Sequence, residues 1–292
     1  MIRIEIGRRN YLLYLLLPHR IKSRLLTPSS RAKLDRINRG FNETLYSGEG
    51  ARDYDQIHRY AEDEQHEYPA RPLVAEIWAG GGYGQALEVG AGSGYFTTLI
   101  ARGARSVIAL EPVADMQVVL KARCREVGVD NVEVLGVPAA ELAAVVPAAS
   151  VDTAFIIQSL HHLHDRERVF EALGRVVRPG GRLLMVEPHH NLRRAARLFR
   201  KYLAGYRARA WWSDERNWAT HDFLTRGELR ALCRRGGFAP PRLSGYWIPY
   251  SRRLIPDAER RFRLEARIGR WPVFRHWAAV VAVEARRLTE RR

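Results

Sequence analysis

A chain of 292 residues with 46% hydrophobic side chains is long enough to bury a full core, and its two cysteines, Cys124 and Cys233, supply neither a disulfide framework nor a zinc-type ligand set. No run of 18 apolar residues occurs, which argues against a transmembrane helix. Net charge is +16, distributed as +8 over residues 1–40, −8 over 41–188 and +16 over 189–292. Basic flanks suit a phosphorylated substrate, an anionic lipid surface or nucleic acid, although 44 of the 48 cations are arginine, which also fits a GC-rich genome.

Residues 1–48 read as a basic, partly apolar extension ending in the loop Tyr46 to Gly50. Its run Tyr11 to Leu17, behind Arg8 and Arg9, lacks the small-residue cleavage site of a signal peptide, so the expected location is cytoplasmic. The same run has the character of a surface element. Burial against the protein is the first reading, and peripheral contact with the inner face of a membrane the second.

Asp53 to Glu67 and Arg71 to Ala79 read as helices preceding a sheet. Ala86 to Val89 is an apolar strand end carrying Glu88, followed by Gly90, Gly92 and Gly94 at every second position. Glycine allows positive φ and close backbone approach, and a helix starting near Tyr95 aims unpaired N–H groups at whatever sits in the turn. Val107 to Leu110 is a second buried strand, ending in Glu111 and Pro112, 17 residues beyond Gly94. Asn131 to Leu135 and Ser150 to Gln158 give a third and fourth strand. Arg178-Pro179-Gly180-Gly181 then turns into a fifth, ending at Glu187 and Pro188. Strands alternating with helical stretches indicate βαβ units and a mostly parallel sheet. Beyond Pro188 come a basic helix from Leu192 to Tyr206, an aromatic segment with Trp211, Trp212 and Trp218, and a helix from Thr225 to Gly236. A strand from Leu243 to Tyr250 and a last strand from Trp277 to Glu284 close the chain.

The G-x-G-x-G turn with its upstream acid, the strand-end Glu111, Leu160-His161-His162-Leu163 after the fourth strand and Pro179-Gly180-Gly181 before the fifth resemble the class I S-adenosylmethionine (SAM) methyltransferases of the type 11 group. The resemblance is close over about residues 50–188 and loose elsewhere. It implies a Rossmann-like, doubly wound, seven-stranded, mostly parallel α/β sheet with an antiparallel last strand. Residues 1–48 are then an extension, and 49–292 the methyltransferase domain, with 189–225 and 251–275 as insertions that cap the substrate. The implied cofactor is SAM: Gly90, Ala91 and Gly92 pass beneath its methionine part, and Glu88 orders the turn or a bound water. Glu111 and Pro112 meet the ribose, and Gly94, Ala139 and Gln158 complete the set. Many members carry Gly-Asp-Ala where this chain has Val137-Pro138-Ala139, so backbone around Ala139, with Glu141, is the expected adenine contact.

Methyl transfer is an in-line displacement, so the protein supplies alignment, dry surroundings and, for a weak nucleophile, a base. Candidate bases follow the fourth and fifth strands: His161, His162, Glu187 and His189, with His190 beside them. Packing or helix capping is the alternative role for each. No metal is expected, because His161, His162, His164 and Asp165 are too close in sequence to converge on one ion. Gln158-Ser159 is unlike the Asn/Asp-Pro-Pro-Tyr/Phe of enzymes that methylate base or glutamine nitrogens, and no RNA-binding module accompanies the basic flanks. The reading is therefore a methyltransferase acting on a small-molecule or lipid-like acceptor, with oxygen the expected atom and a biosynthetic role in secondary metabolism or in glycan or lipid assembly. Carbon methylation of a prenyl or pyrophosphate substrate, RNA methylation and a SAM-binding scaffold are the alternatives. Oligomeric state is not legible.

Overall fold

The computed structural model describes residues 14, 16–45, 47–53, 82–163, 165–205 and 222–289. Most of Tyr11 to Leu17, the helices expected over 54–67 and 71–79, His164, and Trp211, Trp212 and Trp218 lie outside the described residues.

Seven strands form one sheet in the order β3-β2-β1-β4-β5-β7-β6. They are β1 (Gln85–Val89), β2 (Ser106–Leu110), β3 (Val132–Leu135), β4 (Val151–Ile157), β5 (Val177–Pro188), β6 (Arg242–Tyr246) and β7 (Val280–Arg286). Pairing is parallel from β3 through β5, while β7 runs antiparallel to both β5 and β6. Chain direction across the sheet reverses its order between β1 and β4. In an open α/β sheet, ligands bind in the crevice outside the strand ends at such a point.

Successive side chains of a strand face opposite sides, and here both sides are covered, which is why the strands read as continuous apolar runs. Leu87, Val89, Ala154 and Ile156 enter one core with Phe170 and Leu173 of α6 (Arg166–Val176) and Leu229 of α8 (Arg226–Arg235). Ala86, Phe155, Ile157 and Val186 enter the opposite core, with Ile100 of α3 (Tyr95–Ala101) and Phe262 of α10 (Ala258–Ile268). In chain order this part also holds α4 (Ala114–Glu126), the short α5 (Leu142–Val145), α7 (Leu192–Gly205) and the short α9 (Ser251–Leu254). In the extension, α1 is His19–Leu25 and α2 is Pro28–Leu45. Among the described residues no helix is long and apolar enough to cross a membrane.

Two strand limits differ from the sequence reading. The sixth strand stops at Tyr246 rather than Tyr250, because the buried Glu265 of α10 accepts hydrogen bonds from Trp247 N (2.9 Å) and Ile248 N (3.0 Å) and draws the chain away from the ladder. The last strand starts at Val280 rather than Trp277, since Pro272 opens a short helix, α11 (Pro272–Trp277), that takes Trp277. Proline suits a first helical turn, where its missing N–H costs nothing. Helix α8 follows the expected signals closely: Thr225 and Glu228 form a reciprocal capping box.

Candidate active site

The turn after β1 is held from three sides. Gly90, Gly92 and Gly94 all have positive φ, but their missing side chains serve different ends. A Cβ on Gly90 would lie 2.6 Å from Ser159 Cβ, and one on Gly94 would lie 2.8 Å from Leu120 Cγ, so these two glycines let protein pack against the turn. At Gly92 the nearest atom to such a Cβ is Met116 Cε at 3.7 Å. Gly92 therefore meets a single side chain at ordinary contact distance and is the least crowded of the three, as a ligand cradle requires.

Glu111 locks this cradle. Its Oε2 accepts Gly92 N at 2.8 Å and its Oε1 accepts Val113 N at 2.9 Å, which ties the end of β2 to the glycine turn. Burial raises its carboxyl above the usual range, with both backbone bonds pulling the other way. The buried Glu88 lies one layer below, where Thr97 Oγ1 of α3 donates to Oε2 at 2.5 Å. Desolvation pushes Glu88 up to about 8, and the nearby Glu111 charge adds to the shift. Ala91 is buried in the turn, Pro112 is exposed just past Glu111, and Ala139 opens a 3-10 turn half-buried against the core.

On the far side of the crevice, β4 ends in Gln158, a non-glycine residue with φ +55 whose N–H donates to Val186 O. That unusual backbone turns the chain so that Ser159 Oγ donates to Val89 O at 2.6 Å, joining the ends of β4 and β1. Glu187, buried at the end of β5, then gathers the next loop. Its Oε1 accepts Ser159 N (2.7 Å) and Leu160 N (2.8 Å), and its Oε2 lies 2.9 Å from His161 Nδ1. Desolvation pushes Glu187 up to about 8 against those bonds. His161 is driven down to about 3 by burial and by the charges of Arg166 and Arg194, so its ring is neutral at ordinary pH. Its ring contacts His162 at 4.1 Å and Phe223 at 5.2 Å between centroids.

The other histidines are placed differently. His189 is buried, with Nε2 3.1 Å from Asn191 Nδ2, and that amide also donates to Ala278 O at 2.6 Å. His190 Nε2 donates to Leu16 O at 2.9 Å, tying the extension to the domain. Thus His161, His162 and Glu187 meet at the crevice edge, while His189 sits in a tertiary joint.

Three residues absent from the sequence reading shape this edge. Asp222 is held by Lys22 Nζ at 2.8 Å, Arg166 Nη1 at 3.0 Å and His19 Nδ1 at 2.8 Å, and those cations keep its carboxyl well below the usual range. Arg166 also donates through Nε to Leu160 O, fixing the loop that carries His161. Arg194, in the first turn of α7, lays its guanidinium 3.3 Å from the centroid of the Phe223 ring. Burial and Arg197 lower it to about 9. No local signal marks these residues, because Asp222 meets His19 across 203 positions and Arg166 across 56.

Residues 87–185 match the family model described as a methyltransferase domain, the segment that contains the glycine turn, Glu111 and the His161 loop. Over that segment the chain belongs to the SAM-dependent methyltransferase family. A probable SAM-dependent methyltransferase of Mycobacterium tuberculosis is 39% identical over 103 residues, 35% of either chain. An uncharacterised methyltransferase of Mycobacterium bovis is 34% identical over 104 residues, 35% of this chain and 39% of its own length. The match thus spans little more than a third of these relatives. Among solved structures, a SAM-dependent methyltransferase of Thermotoga maritima aligns over 86% of this chain and 99% of its own, with a TM-score of 0.53 and 18% identity. Phosphoethanolamine N-methyltransferase 2 of Haemonchus contortus, solved with phosphomonomethylethanolamine and S-adenosylhomocysteine, aligns over 87% of this chain and 60% of its own, with a TM-score of 0.57 and 14% identity. At these identities the likeness is one of fold. The matched segment, residues 87–185, holds most of β1 to β5 and so both sides of the β1/β4 crevice.

Proposed function

We propose that this protein transfers a methyl group from SAM to the oxygen of a small-molecule acceptor. The observation that carries the reading is the roomiest glycine of the turn, Gly92, bonded to Glu111 at the end of β2, with the His161–Glu187 pair on the loops that follow β4 and β5. The residues fit the cofactor: Gly92 gives the methionine part room, and Glu111 has carboxylate lone pairs beyond the two used by backbone. Ala91, Pro112, Ala139 and Gln158 border the same crevice. SAM supplies an electrophilic methyl group on a sulfonium centre.

The acceptor's proton is the chain's task. With Glu187 ionised, His161 Nδ1–H donates to it and Nε2 is left as an acceptor; because burial disfavours an imidazolium, Nε2 takes a hydroxyl proton as Nδ1–H passes to Glu187, which leaves a neutral ring and a protonated carboxyl. With Glu187 protonated, the bond reverses and Nε2 carries hydrogen. Because Glu187 ionises at about 8, turnover rises with pH through that region. Arg166, Arg194, His162 and Asp222 are the charged or titratable neighbours that set the pair's balance. Segments 189–225 and 251–275 cap the acceptor, and residues 1–48 close the edge through α1. The acceptor's biosynthetic setting and a cytoplasmic location belong to this same reading.

The test is tritiated methyl transfer from SAM into a metabolite extract, with calorimetry of S-adenosylhomocysteine binding. Binding without any labelled product would turn the reading toward a scaffold. A product destroyed by nuclease would turn it toward RNA.

A further inference from the structure

Most buried cations here have visible partners. Lys22 and Arg166 share Asp222, Arg166 also meets Leu160 O, and Arg261 donates to Ile255 O and Pro256 O. Arg194 is different. It is half-buried, with its guanidinium carbon over the Phe223 ring, and its Nε is buried and donates to no acceptor; among the described residues its side chain makes no hydrogen bond and no ion pair. An aromatic face offsets only part of what a partly desolvated guanidinium loses, so its open donors are available to an acceptor from outside the chain. The acids nearby do not serve: Asp222 is committed to Lys22, Arg166 and His19, Glu187 to the His161 loop, and α7 carries no acidic residue.

The placement gives the ligand's location. Arg194 follows the carboxyl end of β5, which borders the crevice, and its neighbour Arg193 turns away to Trp247 O and Trp277 O. Phe223 supports the guanidinium plane at 3.3 Å, and the same ring lies 5.2 Å from His161. A guanidinium stacked on a ring keeps its in-plane donors directed sideways, the geometry that receives two oxygens of one oxyanion.

We propose that Arg194 is the anion-recognition residue of the acceptor subsite, and that the acceptor carries a carboxylate or phosphate bound by this guanidinium beside His161. This rests on the methyltransferase reading and adds the charge class of its substrate. One end of the acceptor is anchored at Arg194, and its nucleophile is presented to His161 and the methyl group.

The experiment uses the full chain with nitrogen-15 arginine, saturated with S-adenosylhomocysteine, and follows the Arg194 Nε–H resonance by NMR. Benzoate and phenyl phosphate are the probes and benzyl alcohol the neutral control; the better-bound anion tells carboxylate from phosphate. Both anions, or one, should shift the resonance saturably at roughly millimolar concentration, benzyl alcohol should not, and Arg194→Gln should weaken anion binding about tenfold or more. Calorimetry on the unaltered protein gives the same answer should Arg194→Gln fail to fold. No saturable anion binding by the loaded wild type overturns the proposal. So does a shift produced by S-adenosylhomocysteine itself with a matching loss of its affinity in Arg194→Gln, which would assign the guanidinium to the cofactor's carboxylate. Failure of the wild type to bind S-adenosylhomocysteine at all would instead remove the underlying reading.

Discussion

The span of the first five strands, residues 85–188, and the basic segments around it are built by opposite rules. In the former, each of these polar groups is held by an adjacent turn, helix or strand end: Glu111 by Gly92 and Val113, Glu88 by Thr97, Ser159 by Val89. In the latter, the joints are long-range and charged, such as Lys22 and His19 on Asp222, or His190 on Leu16 O. A self-contained cradle suits a constant cofactor, whereas an edge assembled from separate segments can change its acceptor without disturbing the sheet.

If that division is correct, substitutions should separate cofactor binding from assembly. The largest effect is expected at Gly92. Gly92→Arg puts a long side chain into a space bounded by Met116 and forces a non-glycine residue to φ +55, so calorimetric S-adenosylhomocysteine binding should vanish while the thermal midpoint falls only by the few degrees that about 1 to 2 kcal/mol of backbone strain costs. Retained binding by the folded variant would put the cradle elsewhere. Next comes Asp222→Ala, which leaves Lys22 and Arg166 buried without their shared carboxylate and should cost about 3 kcal/mol in a denaturant titration. S-Adenosylhomocysteine affinity of the folded fraction should stay within about twofold, an outcome that a unitary site would not give.

Glu111→Ala should weaken SAM by about 1.5 to 3 kcal/mol, since it removes a charge-assisted acceptor and frees the Gly92 and Val113 amides together. NAD should not compete, and competition at similar concentration would favour a dinucleotide site. The smallest effect concerns pH. Glu88 has a folded-state pKa raised to about 8, so between its ordinary value and about 8 the folded state holds more protons than the unfolded one, and stability falls as pH rises through that window. The slope is at most about 1.4 kcal/mol per pH unit, and Glu88→Gln should flatten it in denaturant titrations at several pH values. An unchanged slope would mean that another group carries it.

Much of the cradle was legible without coordinates because its signals are local. Glycines at every second position after an apolar strand mark a turn of positive φ, and Glu111 closes a strand of continuous burial. His161 and Glu187 also stand out as residue types at strand ends. Their pairing does not, since 26 positions separate them and the contact exists only because β4 and β5 are neighbours in the sheet. The strand limits at Tyr246 and Val280 shifted for a similar reason: Glu265 and Pro272 act on backbone that apolar pattern alone would leave extended.

The sequence by itself determined the alternation of strands and helices, the glycine turn and the acid beside it, because hydrophobic period and backbone freedom are properties of a few consecutive residues. Tertiary structure decided which glycine is left the most room, which histidine meets a carboxylate, and which half-buried arginine is left without one among the described residues. Those outcomes depend on which distant side chains arrive at the same place, and burial then sets their charge by removing the water that would otherwise satisfy them.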